Sequence, residues 1–257
     1  MGELEAAWLA AVQGLTEFLP VSSSGHLVIL QGVMRVPRQG IAFEVVVHLG
    51  TLVAVLAVYG RDILGLLAGA VRRERASLRM LGLLALGSVP AGTAGVLLGD
   101  QVKSLFDSPL TASAMLLVTG GLLFATRWAR PGTRRPGAAS AVVIGLAQAA
   151  ALLPGISRSG STISSGLFRG LEREEAARFS FLLSVPAIAG AGILELRGLD
   201  SAELGMHLPV GFVVAAVTGY SALRLLLRFV RRGRLHLFSW YCWAAGIAGI
   251  LLIVLEG

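Results

Sequence analysis

The chain has 257 residues, of which 55% are hydrophobic and only 14% are charged, and its mean hydropathy is +0.76. This composition excludes a water-soluble globule, because soluble domains carry about 25% charged residues. The formal net charge is +7, but the arginines lie in short loops between apolar segments, as topology determinants do, so nucleic acid is not an expected partner. The lone cysteine, Cys242, excludes an intramolecular disulfide.

The first two apolar segments are too short to cross a bilayer. Leu4–Leu19 stops at Pro20 and is followed by a second short run, His26–Val33, whereas a spanning helix needs about 20 residues. Polar residues at a Pro and Ser/Gly break are typical of a re-entrant helical hairpin, because irregular backbone at membrane depth is tolerated only inside protein. A single kinked helix is the alternative. The acidic N-terminus without a cleavage site does not resemble a removable signal peptide.

The remaining chain predicts full spans, a linker and a second round of the same order. Three spans come first, at Ile41–Tyr59, Leu78–Leu98 and Leu110–Trp128. A basic Pro/Gly linker, ARPGTRRPG, occupies residues 129–137 and is the clearest internal boundary. Two short segments then follow, at Ala138–Leu153 and Gly155–Gly170. Three spans complete the second round, at Ala176–Leu196, Leu208–Phe229 and Leu237–Leu255.

A shift of 135 positions relates the polar breaks of the two halves. It superimposes Gln13 on Gln148, Ser22 on Ser157, Ser24 on Ser159 and Gly25 on Gly160. An odd number of crossings in each half makes the second half enter from the opposite side. We therefore predict an all-α polytopic membrane protein with one domain and two inverted-topology repeats, 1–128 and 138–257, each a re-entrant hairpin plus three transmembrane helices.

The arginines predict the orientation through the positive-inside rule. On the side assigned to the cytoplasm lie Arg61, Arg72, Arg73, Arg75, Arg127, Arg130, Arg134, Arg135, Arg169, Arg173, Arg178, Arg228, Arg231, Arg232 and Arg234, against Arg35, Arg38, Lys103 and Arg197 on the other face. Both termini and the first hairpin are then extracytoplasmic, and the second hairpin enters from the cytoplasm. The tips are expected to meet near the midplane, in a site that opens to the extracytoplasmic side.

Arg158 in PGISRSGST requires an anionic partner, because a guanidinium at the bilayer centre costs about 3 kcal/mol or more. One candidate is a structural ion pair with Glu17. The other is an anionic ligand, since the guanidinium fork suits phosphate oxygens and a Ser- and Gly-rich turn before a helix offers free N–H groups. The neighbouring hydroxyls, Ser157, Ser159 and Thr162, would add donors to such a phosphate cradle.

The first break, QGLTEFLPVSSSGH, supplies a carboxylate, an imidazole and hydroxyls. Gln13 and Glu17 are four apart and share a helix face, and His26 follows three serines. This set offers a metal ligand, a proton-transfer group and a nucleophile. For at least one of Ser22, Ser23 and Ser24 the expected role is only to cap the helix. Glu44 and His48, also four apart, either extend the site or hydrogen-bond to each other.

These motifs resemble those of undecaprenyl-diphosphate phosphatases, also called bacitracin-resistance proteins. QGLTEFLPVSSSGH resembles their (E/Q)xxxE motif with its Ser/His stretch, and PGISRSGST matches PGxSRSxxT at every fixed position. The similarity extends to FEVVVHLG at 43–50 and FSFLLSVP at 179–186. Gln13 stands where many members carry Glu, which weakens a metal site built from two carboxylates.

The resemblance implies hydrolysis of undecaprenyl diphosphate to the monophosphate in the bacterial inner membrane, which recycles the lipid carrier for cell-wall synthesis and confers bacitracin resistance. It implies that Glu17, Ser23, His26 and Arg158 are catalytic, with Glu17 also the ligand of a divalent cation, Mg²⁺ or Ca²⁺. Substrate binding is expected to involve Gln13, Ser22, Ser24, Ser157, Ser159 and Thr162.

Two other functions are considered beside hydrolysis. Inverted repeats with broken helices are also transporter architecture, so a flippase for the lipid carrier is the alternative. Membrane acid phosphatases share Ser-Gly-His and Ser-Arg elements, but no His-x-x-x-Asp follows Arg158, and that class is set aside. Small residues such as Gly95 and Gly99 allow helix packing within the chain or in a homodimer.

Overall fold

A computed structural model of the chain describes residues 2–34, 41–130, 132–195 and 205–256. Within these ranges the fold is all-helical. Its helices are α1 (Glu3–Phe18), α2 (Ser23–Met34), α3 (Ile41–Val71), α4 (Arg75–Leu105), α5 (Pro109–Ala125), α6 (Ala138–Ala150), α7 (Arg158–Phe168), α8 (Arg173–Glu195), α9 (His207–Arg231) and α10 (Phe238–Glu256). Short 3₁₀ segments at Thr126–Trp128 and Leu235–Leu237 precede the linker and α10.

The two predicted hairpins are pairs of short helices joined by tight turns. Helix α1 has 16 residues and α2 has 12, and α6 and α7 have 13 and 11. At 1.5 Å per residue each is about 16–24 Å long, less than the roughly 30 Å of a bilayer core. Helix α1 stops because Leu19 takes an extended conformation with ψ of 142°, as expected for a residue before proline.

Five helices within the described ranges are long and apolar enough to cross a membrane: α3, α4, α5, α9 and α10. The sixth predicted span, Ala176–Leu196, coincides with α8, apart from Leu196, which lies outside the described residues. Helix α8 has 23 residues and carries Arg173, Glu174 and Glu175 in its first turn, and it is not one of these five helices. The chain is therefore a multi-pass membrane protein.

The first span extends 12 residues beyond the predicted end at Tyr59, so the placement of Arg61 in a loop was wrong. Within this extension Asp62 has a partner on α8, because Nη2 and Nε of Arg178 lie 2.9 and 3.0 Å from its Oδ1. Only three residues, 72–74, separate α3 from α4. A satisfied charge need not end a helix, whereas an unpaired one would be costly in an apolar surrounding.

Each short first helix packs against a long helix of the other half of the chain. A Cβ atom added at Gly14 of α1 would lie 2.8 Å from the Ala215 carbonyl of α9. In the same way, a Cβ at Gly145 of α6 would lie 3.0 Å from the Gly87 carbonyl carbon of α4. Glycine at both positions allows the helix axes to approach closely. Helices α5 and α10 also pack on each other, so the two halves interlock.

The main apolar core lies beside the first turn. Phe18 makes an edge-to-face contact with Phe181, which stacks on Tyr59, with ring centroids 5.9 and 5.8 Å apart. These rings are at most 7% exposed. They connect the end of α1 to α3 and α8, and thereby fix the position of the residues next to Phe18.

The basic linker is anchored to the second half. Arg134 donates its backbone N–H to Gly170 at 3.1 Å and accepts from Glu172 at 3.0 Å, which forms a bridge beside the turn between α7 and α8. A Cβ at Gly95 or Gly99 of α4 would meet no atom within 4 Å. These glycines therefore do not pack helices within the described part of the chain, which leaves contact between chains as the remaining prediction for them.

Candidate active site

The two broken hairpins meet at an ion pair between Arg158 and Glu17. Arg158 is the first residue of α7 and Glu17 lies one residue before the end of α1. Nη2 of Arg158 donates to Oε1 of Glu17 at 2.5 Å, and the side chains are 18% and 9% exposed. The ion pair named as one candidate from the sequence is thus present. Both charges are largely desolvated, so each depends on the other.

Glu17 also accepts a hydrogen bond from Ser23, the first residue of α2. The Ser23 Oγ–Oε2 distance is 2.7 Å, and Gln13 donates its amide nitrogen to the same oxygen at 3.2 Å. One carboxylate therefore holds a serine hydroxyl on one oxygen and a guanidinium on the other. A partly exposed hydroxyl bonded to a carboxylate is the arrangement of a nucleophile with its base.

Gln13 connects Glu17 to His48 of α3. Its Nε2 lies 3.3 Å from His48 Nε2, and His48 Nδ1 lies 2.8 Å from the carbonyl oxygen of Glu44. Because a carbonyl only accepts, Nδ1 carries the proton and Nε2 accepts from Gln13. The sequence left open whether His48 extends the site, and the structure connects it to Glu17 through Gln13. The hydrogen bond between His48 and Glu44 involves the backbone carbonyl of Glu44 and not its side chain.

Ser22 and Ser157 cap the second helices of the two hairpins in the same way. Ser22 Oγ accepts from the Gly25 N–H and lies 3.3 Å from Ser24 Oγ. Ser157 Oγ accepts from the Gly160 N–H at 3.1 Å and lies 3.3 Å from Ser159 Oγ. These are the pairs that the 135-residue shift relates. The capping role expected for at least one serine belongs to Ser22.

The turns themselves are in direct contact. A Cβ at Gly25 would lie 2.8 Å from Gly155 Cα, and a Cβ at Gly160 would lie 3.3 Å from Pro20 Cβ. Gly155 has φ of +94°, which favours glycine. Thr119 of α5 holds this second turn, because its hydroxyl donates to the Gly155 carbonyl at 2.8 Å and accepts from the Ser157 N–H.

His26 is held by groups other than Glu17. Its Nδ1 donates to the Ser22 carbonyl at 2.7 Å, so Nε2 accepts from the Tyr241 hydroxyl of α10 at 2.8 Å. The two rings lie nearly parallel, with centroids 5.5 Å apart. Among the described residues no hydrogen bond joins His26 to Glu17 or Ser23. His26 therefore shares the hairpin with them but is oriented by Tyr241.

The remaining predicted hydroxyls point into the protein. Thr162 is fully buried and bonds to the Arg158 carbonyl at 2.7 Å and to Ser180 of α8 at 2.5 Å. Ser159 is 2% exposed, with its hydroxyl 3.5 Å from the Leu19 carbonyl. These side chains join α7 to α8 and to the first turn.

Sequence reasoning missed three residues of this network: Thr119, Ser180 and Tyr241. Thr119 and Tyr241 belong to long apolar helices, where a single hydroxyl gives no pattern, and Ser180 lies within FSFLLSVP on α8. The available signal was the hydroxyl itself, since a Ser, Thr or Tyr inside a membrane helix needs a partner.

Fold and site together define a multi-pass membrane protein with a partly buried Glu, Arg and Ser cluster between two helical hairpins. The family model described as "Bacitracin resistance protein BacA" matches residues 6–248. The chain belongs to this family.

Similar proteins named "Undecaprenyl-diphosphatase" align along almost their whole lengths. The protein of Desulfatibacillum aliphaticivorans is 44% identical over 267 residues, covering 95% of this chain and 96% of that protein. The Korarchaeum cryptofilum protein is 44% identical over 261 residues, with 97% and 98% covered. The Thermomicrobium roseum protein is 42% identical over 276 residues, with 98% and 99% covered.

Proposed function

We propose that this protein hydrolyses undecaprenyl diphosphate to undecaprenyl phosphate and inorganic phosphate, thereby recycling the lipid carrier and conferring bacitracin resistance. Membership of the family and the names of its relatives support this activity. The observation that supports it most directly is Glu17, whose two carboxylate oxygens bond to Arg158 and to Ser23. A guanidinium group that can bind phosphate, a base and a nucleophile are thus brought together around one carboxylate.

In the first step Ser23 Oγ attacks the terminal phosphorus, and the bond from that phosphorus to the bridging oxygen breaks. The Ser23 proton passes to Glu17, which already accepts it in a 2.7 Å hydrogen bond. Undecaprenyl phosphate leaves with the bridging oxygen. Arg158 has further N–H groups beyond the one bonded to Glu17, and they neutralise the charge on the equatorial phosphate oxygens.

In the second step a water molecule attacks the phosphoserine and releases inorganic phosphate. His26 takes the proton of this water at Nε2, which exchanges the Tyr241 hydroxyl for the water, and Glu17 returns the first proton to Ser23. His26 then passes its proton to the departing phosphate or to solvent and is neutral again. Imidazole suits this transfer because its ordinary pKa lies near neutral pH. The covalent route assigns a separate proton acceptor to each step.

A divalent cation, Mg²⁺ or Ca²⁺, fits this site only if the substrate supplies most of its ligands. Among the described residues no group of three or more His, Cys, Asp or Glu side chains is placed to hold a metal ion. Glu17 supplies the carboxylate of the cluster with Arg158 and Ser23, and Gln13 Oε1 is buried without a hydrogen-bond partner. Mg²⁺ commonly combines one or two carboxylates with substrate phosphates, so Glu17 and Gln13 Oε1 are the proposed protein ligands. Such a cation would neutralise charge on the diphosphate.

The hydroxyls around the two turns are assigned a supporting part in substrate binding. Ser157, Ser159 and Thr162 already bond inside the hairpin, so they act on the phosphate by fixing the position of Arg158. Ser22 and Ser24 act in the same way on the first turn, beside Ser23.

The membrane arrangement that supports this chemistry is an inverted repeat. The reciprocal packing of α1 on α9 and of α6 on α4 supports it, as do the matched caps of Ser22 and Ser157. With α8 as the sixth span, both hairpins are re-entrant. The arginine distribution supports an extracytoplasmic opening of the site in the bacterial inner membrane.

The decisive experiment is the release of inorganic phosphate from undecaprenyl diphosphate by the purified protein in detergent, with and without EDTA. Hydrolysis that EDTA suppresses and Mg²⁺ or Ca²⁺ restores is the expected result. No phosphate release from folded protein with added cation would contradict the proposal. The repeat architecture also favours a flippase, and in that case transport in vesicles would occur without phosphate release in detergent.

A further inference from the structure

A polar cavity lies between α3, α8 and α9, away from the Glu17 and Arg158 site. Its volume is about 390 Å³, within the range of about 300–1,000 Å³ that small-molecule sites occupy. Four arginines line it: Arg178, Arg224, Arg228 and Arg231. We name it the arginine cavity after these four residues.

Acidic residues neutralise only part of this positive charge. Arg178 pairs with Asp62 and Glu175, and Arg231 pairs with Glu174 at 3.1 Å. Those three carboxylates are the acidic groups of the cavity lining. Within the described ranges, neither Arg224 nor Arg228 has a carboxylate partner. Two guanidinium groups, one helical turn apart on α9, are therefore available to an anion.

The arginine cavity is separated from the catalytic cluster by packed aromatic rings. Tyr59 lines the cavity and stacks on Phe181, which contacts Phe18 next to Glu17. Along α9, Gly219 lies against Phe18, and Arg224 and Arg228 follow five and nine residues later, about 7.5 and 13.5 Å along the axis. The cavity is thus displaced along the helix axes, toward the C-terminal ends of α3 and α9.

We propose that the arginine cavity binds a phosphate group, supplied either by free inorganic phosphate or by the headgroup of an acidic lipid. Guanidinium groups bind phosphate oxygens through paired hydrogen bonds, and the two unpaired arginines present them from one helix face. Basic pockets between membrane helices at the cytoplasmic side suit anionic headgroups, which is the side that the arginine distribution assigns to these helix ends. The Tyr59 side chain, 7% exposed, forms the inner wall beside them.

The test compares the double variant Arg224→Gln/Arg228→Gln with a control of equal charge, Arg72→Gln/Arg75→Gln, whose arginines are exposed at the α3–α4 turn. Binding to the purified full chain is measured by calorimetry with inorganic phosphate in one arm and short-chain phosphatidylglycerol in the other. Short-chain phosphatidylcholine serves as the uncharged reference. Because Arg224 and Arg228 are exposed, the variant is expected to fold, and circular dichroism checks this.

We expect the cavity variant to bind its ligand at least about tenfold more weakly than the control, while hydrolysis stays within about twofold of wild type. Loss in the phosphate arm alone identifies free phosphate as the ligand, and loss in the lipid arm identifies a headgroup. Each single substitution should give part of the loss. Equal affinities of the cavity variant and the control in both arms would overturn the proposal. The proposal would also fail if the wild type bound phosphate and phosphatidylglycerol only at the Arg158 site, or not at all.

Discussion

Arg158 and Glu17 are 141 residues apart in sequence, and their side chains meet at 2.5 Å between the two hairpin turns. Each belongs to a different half of the chain, so neither hairpin holds a complete site. The pair joins the proposed phosphate-binding group to the proposed base, so the proposed mechanism requires contact between the two halves.

Replacement of Arg158 by Ala should lower turnover by at least about 10³-fold, because it removes the charge that stabilises the transferred phosphoryl group. It also leaves Glu17 buried without its ion-pair partner, a loss of about 3–5 kcal/mol. The double variant Glu17→Gln/Arg158→Gln should recover most of the thermal stability and remain inactive. Steady-state kinetics and thermal denaturation in detergent measure both effects. Activity near wild type for Arg158→Ala would remove the residue from the mechanism.

Replacement of Ser23 by Ala should abolish turnover, whereas Ser24→Ala should retain most of it. Of these two serines, Ser23 bonds to Glu17 and Ser24 bonds to Ser22. Rapid acid quenching of the wild type should trap phosphate on Ser23, detectable by mass spectrometry of the peptide. Substantial activity of Ser23→Ala would exclude the covalent route and favour direct attack by water positioned at Glu17.

Replacement of Gln13 by Glu tests the proposed cation. The new carboxylate would stand beside Glu17, since the Gln13 amide lies 3.2 Å from Oε2. Two adjacent carboxylates repel each other unless a cation lies between them. We expect a lower Mg²⁺ concentration for half-maximal activity, and the Ala variant should require a higher one. If EDTA left the activity of the wild type, Gln13→Glu and Gln13→Ala unchanged, the cation would be ruled out.

Replacement of Tyr241 by Phe should lower kcat by about tenfold with little change in KM, because it frees His26 Nε2 from the hydrogen bond that orients the ring. His26→Gln should be more severe. A matched control is Tyr220→Phe, since Tyr220 lies on α9 away from His26 and packs against Arg224. An unchanged kcat in Tyr241→Phe would show that His26 does not need this partner.

Replacement of Gly25 by Ala should destabilise the protein by about 1–3 kcal/mol, because the new methyl group would overlap Gly155 at 2.8 Å. Gly92→Ala on α4 is the control, since its methyl group would meet no atom within 4 Å and alanine favours a helix. Thermal denaturation should rank Gly25→Ala well below Gly92→Ala. Equal melting temperatures would argue against the close packing of the two turns.

The sequence identified the polar turns because charged and hydroxyl residues stand out against an apolar background. Helix α1 ends at Phe18, just before Pro20, as expected, whereas α6 ends at Ala150, three residues before the predicted end at Leu153. Local rules of this kind depend on neighbouring residues alone, as the capping by Ser22 and Ser157 also does. The end of the first span was misplaced because the partner of Asp62 belongs to α8, and no local pattern reveals it.

By itself, the sequence determined the family, the order of the apolar segments and the residue types at the two turns, since composition and short motifs encode them directly. Only the tertiary structure decided which groups meet. It paired Arg158 with Glu17, joined Gln13 to His48 and placed Tyr241 on His26. These contacts depend on the crossing of helices distant in sequence, where a shift of one residue turns a side chain by about 100° around the axis.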